Sequence, residues 1–589
     1  MIGPNGSQSW EFGFNNTTAQ VSIALMLLAI FAWRQLTDHS DIHNSSVVRA
    51  VIGEHEPGSL RTLWLVMASL QIVNLMILLI WYRVLPYTHY GEFTYFMQRL
   101  EVMVGGAVPH RDFDFDYGTG LLAAPMFVYN LFRGRLSLED SYFSVLLVHW
   151  AVGYCLLAYL VSRLNVPRYR PLVFLLLAVP FLNLTLGLQY TPLRHTIALA
   201  SIFGIRHAYL DTVDSPRRRW ILMGLGGLLL PFVCFLISPE MGLALTVALL
   251  AFLGWFIFGP ERRLALLVAP VLASIGIAFL VFPRAYFNSM LSFGKGGASF
   301  PIFPTMHVLA FLAVAIWVFP QLGLIAVRDK TAAGPFCAGL AILMGLFILP
   351  AMGRCDAGHI FINSIGLLMI ALAASTWLAP RWNYSIFGGY TLVFAVMIMA
   401  AFWDNYKEPI TDALNARSQI SQIPGFSQDN YPDTSGSMPA IHFSKLLPQP
   451  TFLNDLPDTG IGVPMGVDEA TEQFLYLTGR MGSQYHIAPY FDLFDPSTLP
   501  REYADIRKFE YILIPQQYVG YLQINEQQRF RMQGDADCKF MSGLLLFPID
   551  MPPVHPTFVP NIFIMRDIAN EYGIVKQYPG MLLLRRKTP

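Results

Sequence analysis

Residues 63–85, LWLVMASLQIVNLMILLIWYRVL, carry no charged side chain until Arg83. About 20 consecutive apolar residues span the hydrocarbon core of a bilayer when helical, so this stretch is a membrane crossing. Similar blocks recur on both sides of it, at 19–33, 141–161, 171–189, 193–210, 220–237, 240–258, 263–282, 306–327, 334–352, 359–379 and 386–403. The first of these is short, and no Lys or Arg precedes it, so it lacks the basic start of a cleavable signal peptide. The expectation is an α-helical polytopic membrane protein with 11–12 transmembrane helices. Composition agrees: 54% of the 589 residues are hydrophobic and 13% charged, against about 25% charged in an ordinary soluble domain. Neither a net charge of +0 nor any basic tract invites nucleic acid.

Basic residues set the orientation, because Lys and Arg in short loops resist translocation. If 63–85 runs outward, Arg163, Arg168, Arg170, Arg206, Arg217, Arg218, Arg219, Arg262, Arg263, Arg328, Lys330 and Arg381 all fall inside. With Arg34, Arg49 and Arg61 the inner side holds 15 basic residues and the outer side, through residue 404, holds 9. The loop 87–140, the turns at Arg194 and Glu240, the loop 283–305, the turn 354–359 and the C-terminal tail then share the outer side.

Three regions follow: 1–62, an N-terminal segment with one short apolar helix; 63–404, the transmembrane domain, with 87–140 as its first outer loop; and 405–589, a soluble extracytoplasmic domain. After residue 404 acids exceed bases, 20 to 15, and a turn-rich linker, SQIPGFSQDNYPDTSGSMP, opens the region. Apolar runs at 511–515, 544–547 and 581–584 read as strands and 468–478 and 525–532 as helices, which predicts a small α/β fold. Cys155, Cys234 and Cys337 lie within apolar blocks and read as small buried hydrophobes. Cys355 and Cys538 share the outer side, where a disulfide would persist. No cysteine spacing suits zinc, and no glycine-rich phosphate loop is present.

The first outer loop, YTHYGEFTYFMQRLEVMVGGAVPHRDFDFDYGTG at 87–120, sets Glu92, Asp112, Asp114 and Asp116 among eight aromatic rings. Phe93, Phe96, Met97 and Leu100 have the spacing of an amphipathic helix lying along the membrane surface. Burial there raises the pKa of a carboxylate such as Glu92 and suits it to remove a hydroxyl proton. Gly105 and Gly106 permit a sharp change of direction before Pro109. Asp114 and Asp116 alternate with Phe113, Phe115 and Tyr117, so in an extended chain acids and rings take opposite faces. An Asp-rich oxygen set is the one place where a divalent cation could sit; no other cofactor is indicated. Glu92, Asp112, Asp114, Asp116, Arg194, His195, Glu240, Lys295, Arg354, Asp356 and His359 all fall at the outer ends of their segments and form one candidate site. Decoration of a wet interface explains any one of them, but it predicts an even spread rather than acids in one loop and bases in others.

An apolar span followed by Gly91-Glu92-Phe93-Thr94-Tyr95, then Gly106, Pro109-His110-Arg111-Asp112-Phe113 and Tyr117-Gly118, resembles the first outer loop of the GT-C glycosyltransferases. These are integral-membrane enzymes that use polyprenyl-phosphate-linked sugars. The resemblance is close over about 35 residues and loose, by topology, over 63–404. The turns Ser238-Pro239-Glu240-Met241-Gly242 and Gly353-Arg354-Cys355-Asp356-Ala357-Gly358-His359 are similar to outer turns of bacterial relatives. The sequence departs from the pattern at Gly91, where an acid usually precedes the Glu92 position, at His110 in place of Tyr, and at Thr119 in place of Pro. The resemblance implies that Glu92 and Asp112 are the catalytic positions. It also implies a polyprenyl-phosphate sugar donor, a lipid, glycan or protein acceptor, contact with membrane lipids, and an active site on the periplasmic face of a bacterial inner membrane.

Transfer of a sugar from a lipid phosphate needs a base for the acceptor hydroxyl and cations for the departing phosphate. Glu92 supplies the first; Arg194, His195, Lys295, Arg354 and His359 are candidates for the second. One base and a direct displacement invert the anomeric centre, whereas retention would need a second carboxylate as nucleophile, a part open to Asp112. The rival readings are a secondary transporter or flippase for a lipid-linked or anionic substrate, and a polysaccharide ligase or polymerase. A transporter usually holds its ionisable residues near the midplane.

Overall fold

The computed structural model describes residues 16–37, 45–53, 60–84, 91–110, 115, 117–132, 135–166, 169–182, 187–288, 306–354 and 357–378, and in the C-terminal region 452, 455–463, 504, 506–516 and 568–587. The helices are α1 (Asn16–Thr37), α2 (Ser46–Ile52), α3 (Leu60–Val84), α4 (Gly91–Val104), α5 (Gly120–Leu131), α6 (Leu138–Ser162), α7 (Arg170–Ala178), α8 (Pro192–Asp211), α9 (Pro216–Ile237), α10 (Pro239–Trp255), α11 (Val268–Val281), α12 (Met306–Arg328), α13 (Ala333–Arg354), α14 (Ala357–Asn363) and α15 (Ile365–Ser375). Among the described residues eight helical segments are long and apolar enough to cross a bilayer: Gln20–Thr37, Leu60–Leu79, Leu138–Ser162, Pro216–Ile237, Pro239–Phe258, Arg262–Val281, Val308–Arg328 and Ala333–Met352. Their outward faces are apolar, with Leu28, Leu65, Met76, Phe279 and Leu280 exposed, the last by 87%. Such a surface is costly in water and suited to lipid. This is a polytopic helical membrane protein.

Helix α3 packs on α6, α6 on α8, α8 on both α9 and α10, α10 on α13, α13 on α12, and α12 on α1. Small residues let helices approach where no hydrophobic force drives them together. A side chain at Gly339 of α13 would collide with Phe252 and the Ala248 carbonyl of α10. One at Gly153 of α6 would collide with the backbone of Pro192 and Leu193, where α8 begins.

Three of the expected crossings take other forms. The block 193–210 is the helix α8, but Arg194, His195, Arg206 and His207 make it too polar to count among the eight. It is enclosed by neighbouring helices, with most residues from Leu193 to Ile205 buried. The block 171–189 is no continuous helix: α7 stops at Ala178 and gives way to a 3₁₀ turn at Val179–Leu182. Pro180 has no N–H to extend the ladder there. The block 359–379 is interrupted at the single residue Ser364, at φ −97° and ψ 10°, which separates α14 from α15. The block 386–403 lies outside the described residues. Cys155 is exposed on the helix surface, not buried, whereas Cys234 and Cys337 are buried; Cys355 and Cys538 lie outside the described residues.

In the C-terminal region four strands, β1 (Ile461–Gly462), β2 (Tyr511–Pro515), β3 (Tyr572–Tyr578) and β4 (Met581–Arg586), form one sheet in the order β1-β2-β4-β3. β1 runs parallel to β2, and β4 is antiparallel to both β2 and β3. Pro579-Gly580 turns β3 into β4, with Gly580 at φ 76°, a left-handed conformation that glycine adopts without a Cβ clash. Phe452, Leu456, Ile461, Val463, Leu513, Tyr578, Met581 and Leu583 form a core on this sheet. The expected strands at 511–515 and 581–584 are present. Those expected at 544–547 and the helices expected at 468–478 and 525–532 lie outside the described residues.

Candidate functional site

Four stretches far apart in sequence meet at one end of the bundle: the end of the first loop, the connection 187–191 before α8, the junction of α9 with α10, and α14. Arg194, in the first turn of α8, joins three of them. Its Nε donates to Ser238 Oγ at 3.1 Å, Nη1 donates to the Gln189 carbonyl at 3.2 Å, and Nη2 donates to Glu240 Oε1. Its Cζ stands 4.7 Å from the centre of the Tyr117 ring. The side chain is 11% exposed and that of Glu240 35% exposed. A guanidinium pairs well with a carboxylate on one edge and an aromatic face on the other, because its charge is delocalised over a plane.

The loop reaches this point by a route its sequence prescribes. Gly106 lies at φ 96° and His110 at φ 64°, so the chain leaves α4 by two left-handed residues, the second unusual for a side chain of this size. The His110 ring is buried, edge-on to Tyr286 with ring centres 5.0 Å apart and 6.3 Å from Phe115. Neither ring nitrogen has a hydrogen-bond partner, and burial lowers the His110 pKa to about 4, so the imidazole is neutral at pH 7. The Tyr286 hydroxyl donates to the Phe235 carbonyl at 2.5 Å. At Gly118 the loop presses on the end of α9: its N–H donates to the Ile237 carbonyl at 3.3 Å, and a Cβ there would overlap the backbone of Leu236 and Ile237.

Helix α4, which begins Gly91-Glu92, is tied to the same loop by rings. Tyr95 lies 6.1 Å from both Phe115 and Tyr117, and Phe96 lies 5.8 Å from Phe115 and 5.4 Å from Tyr142 of α6. Phe96, Met97 and Leu100 are buried. Arg99 is buried too, with its guanidinium 3.6 Å from the Tyr95 ring centre and its Nη1 donating to the Tyr95 carbonyl.

Next to Arg194, His195 is 1% exposed; its Nε2 is 3.3 Å from the Gln189 carbonyl, and its Nδ1 has no hydrogen-bond partner. Its ring centre is 6.0 Å from that of Phe181, which meets Phe361 of α14. His359 stands edge-on to Tyr190, 5.9 Å between centres, and Asn363 of the same helix is within hydrogen-bonding reach of His195.

Of the residues nominated from sequence, Arg194, His195, Glu240 and His359 come together. Glu92 is the second residue of α4 and Arg354 the last of α13, and the side chains of both lie outside the described residues. Asp112, Asp114, Asp116, Lys295 and Asp356 lie outside them as well. Among the described residues no three His, Cys, Asp or Glu side chains gather as a metal site. Tyr95, Tyr117 and Ser238 stand in the motifs without a role, and Gln189, Tyr190 and Asn363 carry no sequence signal. Ser238 before Pro239 looks like a helix N-cap, yet its hydroxyl makes no cap bond and serves Arg194 instead. Tyr117 stood in the quoted Tyr-Gly pair with nothing to mark its partner.

The charged residues of the long helices sit near helix ends, and the two ends differ. At the end opposite the candidate site Arg163 Nη2 lies 2.7 Å from His207 Nε2, His207 meets Asp211 at 2.9 Å, and Arg219 pairs with Glu261 at 2.8 Å. Neither a family model nor a curated protein sequence matches this chain.

Proposed function

We propose that this chain is a membrane glycosyltransferase of the GT-C type, which moves a sugar from a polyprenyl-phosphate donor to an acceptor hydroxyl. The observation that supports this best is the joining of the first loop to the starts of α8 and α10 through Tyr117, Arg194 and Glu240. It brings the motif-bearing loop, the helix that carries Glu92 and the His195–His359 pair to one rim, where a lipid carrier's headgroup would lie. Charged side chains gathered at helix ends, with the buried His149 of α6 as a mid-helix ionisable group, favour such a rim site over a transport path, which needs charges near the midplane.

In this reading Glu92 takes the proton of the acceptor hydroxyl, the oxygen attacks the anomeric carbon, and the bond from that carbon to the phosphate oxygen breaks with inversion. His359, Lys295 and Arg354 donate hydrogen bonds to the departing phosphate, whose negative charge grows as the bond lengthens, while His195, buried with its Nε2 at the Gln189 carbonyl, stands behind them. Asp112 takes the second catalytic position, and Asp114, Asp116 and Asp356 are further candidates for the same site. The rim faces the periplasm of a bacterial cell, the chain crosses the membrane eleven or twelve times, residues 405–589 stand on the same side, and the acceptor is a lipid, glycan or protein.

The test is transfer from a panel of polyprenyl-phosphate sugars by the purified full chain, wild type beside Glu92→Gln. Turnover falls by about 10²-fold or more in the variant, with donor binding kept. Undiminished turnover would remove Glu92 from its role, and a wild type inert with every donor would remove the activity.

A further inference from the structure

We infer that Arg194 is a positioning residue: paired with Glu240, it holds Tyr117, and through the Tyr117–Tyr95 contact it fixes the helix that begins with Gly91-Glu92. The inference rests in part on the proposed activity, since it assigns Glu92's support, but the clamp is a statement about geometry that stands without it.

Arg194 bonds to protein on three sides, through Ser238, the Gln189 carbonyl and Glu240, and its flat face is turned to Tyr117. Three of its five N–H groups are thereby committed to the fold. A phosphate ligand would have to displace Glu240 or share what remains, so Arg194 is better suited to hold than to bind. What it holds is specific. Tyr117 is the last ring of the first loop before Gly118 docks on α9, and it meets Tyr95 edge-on at 6.1 Å. Tyr95 follows Glu92 by three residues on α4, so fixing Tyr95 fixes the backbone turn that carries Glu92. The path Glu240–Arg194–Tyr117–Tyr95 therefore runs from the first turn of α10 to the first turn of α4. Misplacing a reacting group by about 1 Å costs on the order of 10²-fold in rate, so a clamp of this kind acts on turnover more than on donor affinity.

Arg194→Met and the double variant Arg194→Met with Glu240→Leu separate the clamp from its alternatives. The double variant leaves no unpaired charge, so it keeps the fold if the single one does not. Hydrogen–deuterium exchange on the full chain in detergent is the first measurement. The expected result is exchange faster by about tenfold or more in peptides covering 91–119, with α10 and α13 unchanged. Unchanged exchange in 91–119, or an equal rise throughout the bundle, overturns the clamp. The second measurement, on a donor the wild type uses, compares turnover with donor Kd. Turnover falls by about 10²-fold, Kd moves less than about threefold, and Arg194→Lys restores part of the turnover. A Kd weakened as much as turnover would make Arg194 a donor contact instead. A wild type with no turnover sinks the enzyme reading alone, and the exchange result then decides the clamp.

Discussion

The guanidinium of Arg194 lies 4.7 Å from the centre of the Tyr117 ring while its Nη2 meets Glu240. One residue at the start of α8 thus holds a membrane-boundary loop on one side and the next helical hairpin on the other. The stacked half of that arrangement depends on an aromatic face and not on the tyrosine hydroxyl. Tyr117→Phe should keep it. Tyr117→Leu should lose the cation–π contact and the edge contact with Tyr95, about 1–2 kcal/mol together. Thermal unfolding of the two variants in the same detergent checks the difference, and equal midpoints would count against the stack.

The approach of α6 to α8 sets where Arg194 starts from. A Cβ at Gly153 would overlap the backbone of Pro192 and Leu193, whereas Gly254 and Gly276 have nothing within 4 Å. Gly153→Ala should therefore cost about 1–3 kcal/mol, because backbone on both sides has to give. Gly254→Ala and Gly276→Ala should be neutral or slightly stabilising, by the ordinary helix preference for alanine. Chemical unfolding monitored by tryptophan fluorescence would rank the three, and a Gly153→Ala as stable as the others would show that the helices slide apart freely.

At the opposite end Arg219 donates to both carboxylate oxygens of Glu261, at 2.8 and 3.0 Å, and to the Val213 carbonyl at 2.9 Å, with its Cζ 4.7 Å from the Tyr209 ring centre. It staples the α8–α9 connection to the turn before α11. Arg219→Ala removes the donor from the Thr212 and Val213 carbonyls and the cation from Glu261, at a cost of about 3 kcal/mol. That is the lower end of what breaking a buried pair costs, since Glu261 is 37% exposed and water can reach it. Glu261→Gln should cost less than half as much, by the same midpoint measurement.

Much of the helical architecture was legible because hydrophobic blocks are local in sequence: 63–85, 141–161, 220–237, 240–258 and 334–352 name their helices directly. Where the structure differs, local backbone geometry decides. Ser364, at φ −97° and ψ 10°, interrupts a block that looked continuous. Arg194 and Glu240 were both assigned to one rim by loop alternation, but the bond between them was not readable, since nothing local in either turn names its partner. The same limit hid the sheet order. The two residues of β1 pair in parallel with β2 some fifty residues on, and so short a strand leaves no alternating pattern to detect.

His110 carries the clearest pH dependence. Its ring is buried beside Tyr286 and Phe115 with both nitrogens unpartnered, and desolvation lowers its pKa from 6.5 to about 4. A depressed folded pKa means that the unfolded or displaced loop binds the proton more readily, so the packed loop loses stability as pH falls below about 6.5 and reaches its full loss near pH 4. The two values imply about 2 kcal/mol by pH 5 and about 3 kcal/mol at the limit. Limited proteolysis or hydrogen exchange of 105–119 should therefore accelerate between pH 7 and pH 5, while α10 and α13 stay protected. His110→Asn removes the titration and tolerates the left-handed backbone at φ 64°, so in that variant the loop's response to pH should flatten. If wild type and His110→Asn lose protection in parallel as the pH falls, another group drives the change and His110 is a passive filler of its aromatic pocket.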